Sequence, residues 1–255
     1  AATSKMVLSS GGNLTIAGGL NASDGSTITT ADNSVQLTLK STDADASGGP
    51  ILDLTRDSGS PADGDVLGLI RFKGDDAGGN ETTYAQIIGF IQDEAGGAED
   101  GTLKIETLIA GGSQARLDFT LSETVFNEGG IDLDFRVESN NHDNIFFIDG
   151  GHDGIGIGNS TIIDWSTNYP GLQMGQAGVL YGHKSSNQMN FAMNWGITTG
   201  NVFIADGIAS RMVMDTTKIA FDSSAAGSAA GAITGIPLFQ MTPAAGSLFN
   251  SDRGG

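Results

Sequence analysis

Hydrophobic and polar residues alternate with a period of two through most of the chain. Ile131, Leu133, Phe135 and Val137 are interleaved with Asp132, Asp134, Arg136 and Glu138, which predicts a strand with one buried and one wet face. Asn140 to Asn144 then supply turn residues, and a compact apolar run from Ile145 to Ile148 predicts a second strand. Asp149 to Gly154 make another turn, and Ile155 and Ile157 sit between glycines in a third strand. Three short strands joined by Asn/Asp/Gly turns predict a β-meander over 127–158.

The same grammar organises the rest. Residues 1–49 read as a glycine-punctuated β segment: Leu14 and Ile16 alternate with polar residues, Gly18 to Gly25 turn the chain, and Val35, Leu37 and Leu39 predict a further strand. Residues 50–126 read as an antiparallel sandwich or prism. Its predicted strands are Val66–Lys73, Tyr84–Ile91, a stretch holding Leu103, Ile105, Leu108 and Ile109, and a last one holding Leu117, Phe119 and Leu121. Asp/Gly turns separate them. Residues 159–255 hold both tryptophans, two of the three tyrosines and six of the seven methionines, with strands expected at 201–205, 212–215 and 219–221. No helical-length segment keeps i, i+3, i+4 apolar spacing; only Ser223–Ala232 tempts a helix, and Gly227 and Gly231 weaken it.

Composition adds one constraint. Apolar residues make up 38% and aromatics 7%, while the 39 glycines are about 15% of the chain, where ~7% is usual. A chain this poor in bulky residues is expected to borrow burial from neighbouring copies. The net charge of −18 argues against nucleic-acid and membrane-surface partners. The absence of cysteine removes disulfides and thiolate chemistry. No apolar run reaches the length of a membrane span. AATSKMVLSSGG lacks the apolar core of a signal peptide, and the chain reads as a piece of a longer polypeptide.

Leu52 to Ile87 carries a turn RDSGSPADGD followed by the strand TTYAQI, Asp100 to Gly112 reads DGTLKIETLIAGG, and Val125 to Gly158 contains FNEGGIDLDFRVES. With a weaker match at Gly171–Phe191, these segments resemble tail-fibre and appendage proteins of tailed bacteriophages, marine ones especially. The resemblance covers most of residues 50–190. It implies an all-β, elongated homotrimeric fibre with sandwich or prism modules on an intertwined shaft. It further implies a location on the virion, assembly in the host cytoplasm, contact with other tail or appendage proteins, and attachment to a bacterial surface glycan or protein receptor. Leu248–Gly255, LFNSDRGG, resembles the approach to a self-cleaving C-terminal chaperone.

No enzyme signature emerges: there is no G-x-S-x-G elbow and no P-loop, and GIGIGN is too far from any helix for a dinucleotide loop. Related spikes cut polysaccharides with paired carboxylates, but 30 acids, most of them in turns, single out no pair. Asp57, Asp63 and Asp65, or Asp75 and Asp76, offer oxygen ligands for calcium without EF-hand spacing. His142, His152 and His183 lack zinc-ligand spacing, which leaves only a site shared on a trimer axis. Trp165, Tyr169, Tyr181, His183 and Trp195 are the candidate receptor contacts, because aromatic faces stack on sugars. The competing role for them is to fill a trimer core. The rival functions are a glycan-cleaving spike and a bacterial surface adhesin or filament subunit.

Overall fold

The computed structural model describes residues 25–242 in full and, before them, the backbone of two short strands. The predicted glycine turn at 18–25 lies almost wholly outside the described residues, as does the segment Leu248–Gly255. The chain divides into two compact units, residues 1–54 and 55–255.

In the first unit β1 (Met6–Leu8) and β2 (Leu14–Ile16) pair antiparallel, with Met6 opposite Ile16. The strand expected at Val35–Leu39 does not form: Val35 is 77% and Leu37 60% exposed. The segment has no ladder partner, and its polar neighbours close local turns instead. Asp32 accepts the Ser34 N–H at 2.9 Å, and the Ser41 hydroxyl accepts the Asp43 N–H at 3.2 Å.

The second unit is all-β, and no helix occurs among the described residues. Ser223–Ala232, the one helix-like stretch, leaves a strand and crosses a loop in which a Cβ on Gly227 would lie 2.2 Å from the Phe203 ring. The first sheet is a meander of β3 (Val66–Asp75), β4 (Glu81–Asp93), β5 (Asp100–Ile109), β6 (Gly112–Phe119) and β7 (Thr124–Phe126), antiparallel and in sequential order. The expected sandwich is absent among the described residues. This is a single layer, with no second sheet packed over it. One face carries Gln86 donating to Glu106 at 2.7 Å and the Lys104–Asp118 ion pair at 3.1 Å. The other face carries the in-register row Ile70–Ile87–Ile105–Leu117–Phe126, and Ile70 (42%) and Phe126 (55%) remain open.

The second sheet has nine strands. Its first three are β8 (Phe135–Ser139), β9 (His142–Asp149) and β10 (Gly154–Ile157), the predicted meander. The first of these starts at Phe135, not at Ile131. Asp134 is drawn away to accept the Gly150 N–H at 3.1 Å, and the Leu133 backbone lies against Gly150. The sheet continues through β11 (Gly171–Met174), parallel to β10, then β12 (Gly178–Gly182) and β13 (Met189–Met193). It ends with β16 (Ser210–Met214), β17 (Ile219–Ser223) and β18 (Ile236–Met241). A small hairpin, β14 (Trp195–Ile197) with β15 (Asn201–Phe203), stands apart from it. The meander and the region after residue 159 therefore share one sheet.

Three excursions leave this sheet and supply the buried core. The β10–β11 crossover, which a parallel pair requires, brings Ile162 and Trp165. The segment between β13 and β16 brings Trp195, Phe203 and Ala209, and the segment between β17 and β18 brings Ile233. All of these are buried, alongside Phe147, Val179 and Tyr181 from the strands. Glycines make room beneath them: a Cβ on Gly171 would lie 2.2 Å from the Trp165 ring, and one on Gly154 would lie 2.4 Å from Ile162. The Gly–Ile–Gly–Ile pattern of β10 thus places its glycines under the core and sends Ile155 and Ile157 to the opposite face.

That opposite face is apolar from edge to edge. Phe135 on β8 pairs with Ile148 on β9, and Ile148 with Ile155 on β10. The row runs on through Leu172, Leu180 and Phe191. It finishes through Met212, Phe221 and Phe239. At its start, the Phe135 ring lies 4.9 Å from that of Phe126, where the apolar row of the five-stranded sheet ends.

Candidate functional site

The five aromatic and histidine candidates part company in the structure. Trp165, Tyr181 and Trp195 are 3%, 1% and 1% exposed, which puts them in the core of the chain rather than at a surface where a sugar could stack. The reason is local. Trp165 lies over Gly171, its ring 5.3 Å from that of Tyr181. Trp195 stacks on the Arg211 guanidinium, 4.3 Å from the ring centroid, and donates its indole N–H to Asn201 at 2.9 Å. Arg211 also donates to Asp222 at 2.9 Å, so the inner face holds a paired charge beneath the indole. Burial pushes the Tyr181 phenol above its ordinary value, and nearby Arg211 partly offsets the shift.

Tyr169 and His183 remain half-buried at the rim, in contact edge to face at 4.6 Å. The Tyr169 hydroxyl donates to Gln188 at 3.4 Å, and His183 Nδ1 accepts the Ser185 N–H at 3.2 Å. That bond places the neutral ring's proton on Nε2. The structure thus joins a phenol from the β10–β11 crossover with an amide and an imidazole from the β12–β13 loop, a set suited to hydrogen-bonding a polyol. It brings neither tryptophan to that rim.

Of the candidate calcium acids, Asp63 comes together with Asp93 and Glu94, their carboxylate oxygens within 4.8 Å of one another. A hydrogen bond that the protonated Glu94 carboxyl donates to Asp63, with repulsion from Asp63 and Asp93, holds Glu94 above its ordinary value. Asp65 and Asp76 have local employment. Asp65 pairs with Arg56 at 3.0 Å, and Asp76 accepts the N–H groups of Gly78 and Asn80 at 2.7 and 2.9 Å to close the β3–β4 turn. His152 pairs with Asp149 at 3.0 Å. Among the described residues no helix is long and apolar enough to cross a membrane.

Residue-type reasoning passed over the bare face of the nine-stranded sheet. All six methionines after residue 159 lie on it: Met174 and Met193 flank the central row on one side, Met189, Met214 and Met241 on the other, and Met212 is within it. A signal was present in the strands GVLYG and MNFAM, which have no charged face at all, as strands covered on both sides do.

Comparison with known proteins finds no matching family model, no curated relative and no matching solved structure.

Proposed function

We propose that this chain is a structural subunit of a bacteriophage fibre, a tail fibre or related virion appendage, which acts as a homotrimer and attaches the particle to a bacterial surface. The observation that carries the reading is that both sheets of the second unit are amphipathic in a way one chain cannot complete: each leaves an apolar face open. The sequence resemblance over residues 50–190 supplies the biological setting. Intertwined or abutting copies remove exposed faces and edges, and weak contacts repeated on three chains add up to avidity. The role is mechanical rather than catalytic. Tyr169, His183 and Gln188 at the rim are the residues offered to a glycan receptor.

The test is saturable binding of fluorescent protein to a panel of bacteria, with competition by extracted surface polysaccharide, and immunogold labelling of phage particles with antibody to the chain. Competed binding together with labelled appendages is the expected result. Reducing ends released from the polysaccharide would favour the glycan-cleaving spike. Labelling of bacterial cells rather than phage would favour the adhesin. No binding and no labelled particle would sink the fibre reading.

A further inference from the structure

We infer that the bare face of the nine-stranded sheet is a self-association surface, closed by the same face of further copies of this chain. The inference rests on the fibre reading for its three-fold stoichiometry; the packing argument stands on the sheet itself. Twelve large apolar residues on this face keep 36–61% of their surface exposed. With about 150–250 Å² per large side chain, that is on the order of 900 Å² of open apolar area. The largest such patch on an ordinary monomer is about 300–600 Å², whereas a stable interface takes ~800 Å² from each partner. The face is therefore too large for a free surface and large enough for an interface.

Its chemistry selects the occupant. Nothing charged points outward from the central row or from the methionines beside it, although the chain carries −18. Copies repel one another everywhere except at a face like this one. An anionic bilayer or a nucleic acid would meet the same repulsion with no compensating cation. Flexible methionines beside Phe191, Phe221 and Phe239 suit a surface that must interdigitate with its own image, and methionine and phenylalanine are enriched at interface centres. Continuity extends the argument: at Phe126 and Phe135 this face meets the apolar row of the five-stranded sheet, so one association covers both.

The experiment uses the whole chain. Sedimentation equilibrium gives its mass, and methionine oxidation by dilute peroxide, read by mass spectrometry, reports the face directly. Wild type is expected at a multiple of 26.1 kDa. Phe191→Asp should fall to the monomer, and its six face methionines should then oxidise about tenfold faster than in wild type. Trp165 and Trp195 lie on the other side of the sheet, so unshifted emission shows that the variant has folded. If it has not, Leu180→Cys in this cysteine-free chain decides the matter, because oxidation should link chain to chain. A wild-type monomer with freely oxidised methionines overturns the inference. So does a monomer that floats with phosphatidylcholine vesicles, or an oligomer whose face methionines are unprotected. An oligomer with protected methionines that binds no bacterium would keep the interface and sink the fibre reading. A monomer that binds bacteria would do the reverse.

Discussion

The two sheets of the second unit are built from the same alternating pattern and end up with different interiors. In the five-stranded sheet one apolar face stands open, and the opposite face is managed by polar pairing, Gln86 with Glu106 and Lys104 with Asp118. Only Ile88 and Asp118 are fully buried there. In the nine-stranded sheet the chain leaves the sheet three times, each time on the same side, and lays Trp165, Trp195 and Phe203 over the inner residues. A sheet joined only by tight turns has nothing with which to cover itself. A sheet joined by excursions makes its own second layer and still leaves its outer face to be covered from outside.

Matched substitutions break or sharpen this contrast. The largest difference is expected between two glycines. Gly171→Ala drives a Cβ into the Trp165 ring and should cost about 3 kcal/mol or more in urea unfolding, the upper part of the overpacking range. Gly89→Ala, on the open face of the five-stranded sheet, meets nothing within 4 Å. In an isolated chain it should change stability by less than about 0.5 kcal/mol. A large cost at Gly89 would instead mean that other copies cover that face as well.

The paired acids come next. Asp222→Ala strands Arg211 beneath the Trp195 ring and should cost about 3 kcal/mol, because it leaves a buried charge unpaired. Asp118→Ala leaves Lys104 with access to water and should cost about 1 kcal/mol. Equal losses in thermal unfolding would mean that the five-stranded sheet is covered on its polar face too.

A smaller gain is expected at the β5–β6 hairpin, whose two turn residues both have positive φ, 48° at Ala110 and 82° at Gly111. Ala110→Gly relieves a left-handed alanine and should add about 0.5–1 kcal/mol, read as a raised unfolding midpoint.

The smallest effect is electrostatic. Asp149, by hydrogen bond and by charge, raises the His152 pKa above 6.5. A raised folded value means that the pair's contribution is fully present below the unfolded pKa and fades as pH rises through the folded one. Melting temperature measured across that window should decline slightly more in wild type than in His152→Gln; parallel curves would show that the pair contributes nothing.

How much of this was legible depends on the element. The strands at 66–73, 84–91 and 145–148 were readable because alternation and Asp/Gly turns are local signals, and the structure forms strands over all three ranges. Val35–Leu39 carries the same alternation and forms no strand, because a ladder needs a partner that no local pattern supplies. The candidate site was half legible. A concentration of aromatics after residue 159 was plain, but whether each one faced solvent was not. Tyr181 and His183 are two residues apart near the end of β12, yet one is sealed under Trp165 and the other reaches the rim.

By itself the sequence determined an all-β chain of short strands, their turns and two distinct faces for each strand. A period of two says that a strand has two sides; it does not say which side is inside. That choice belonged to tertiary structure. Trp165 and Ile162 arrive from the β10–β11 crossover and settle where Gly154, Gly156 and Gly171 leave room, and the two later excursions bring Trp195, Phe203 and Ile233 into the buried core. The isoleucines and methionines between those strands' inward residues are left facing out, because two layers of large side chains cannot occupy the same side of one sheet.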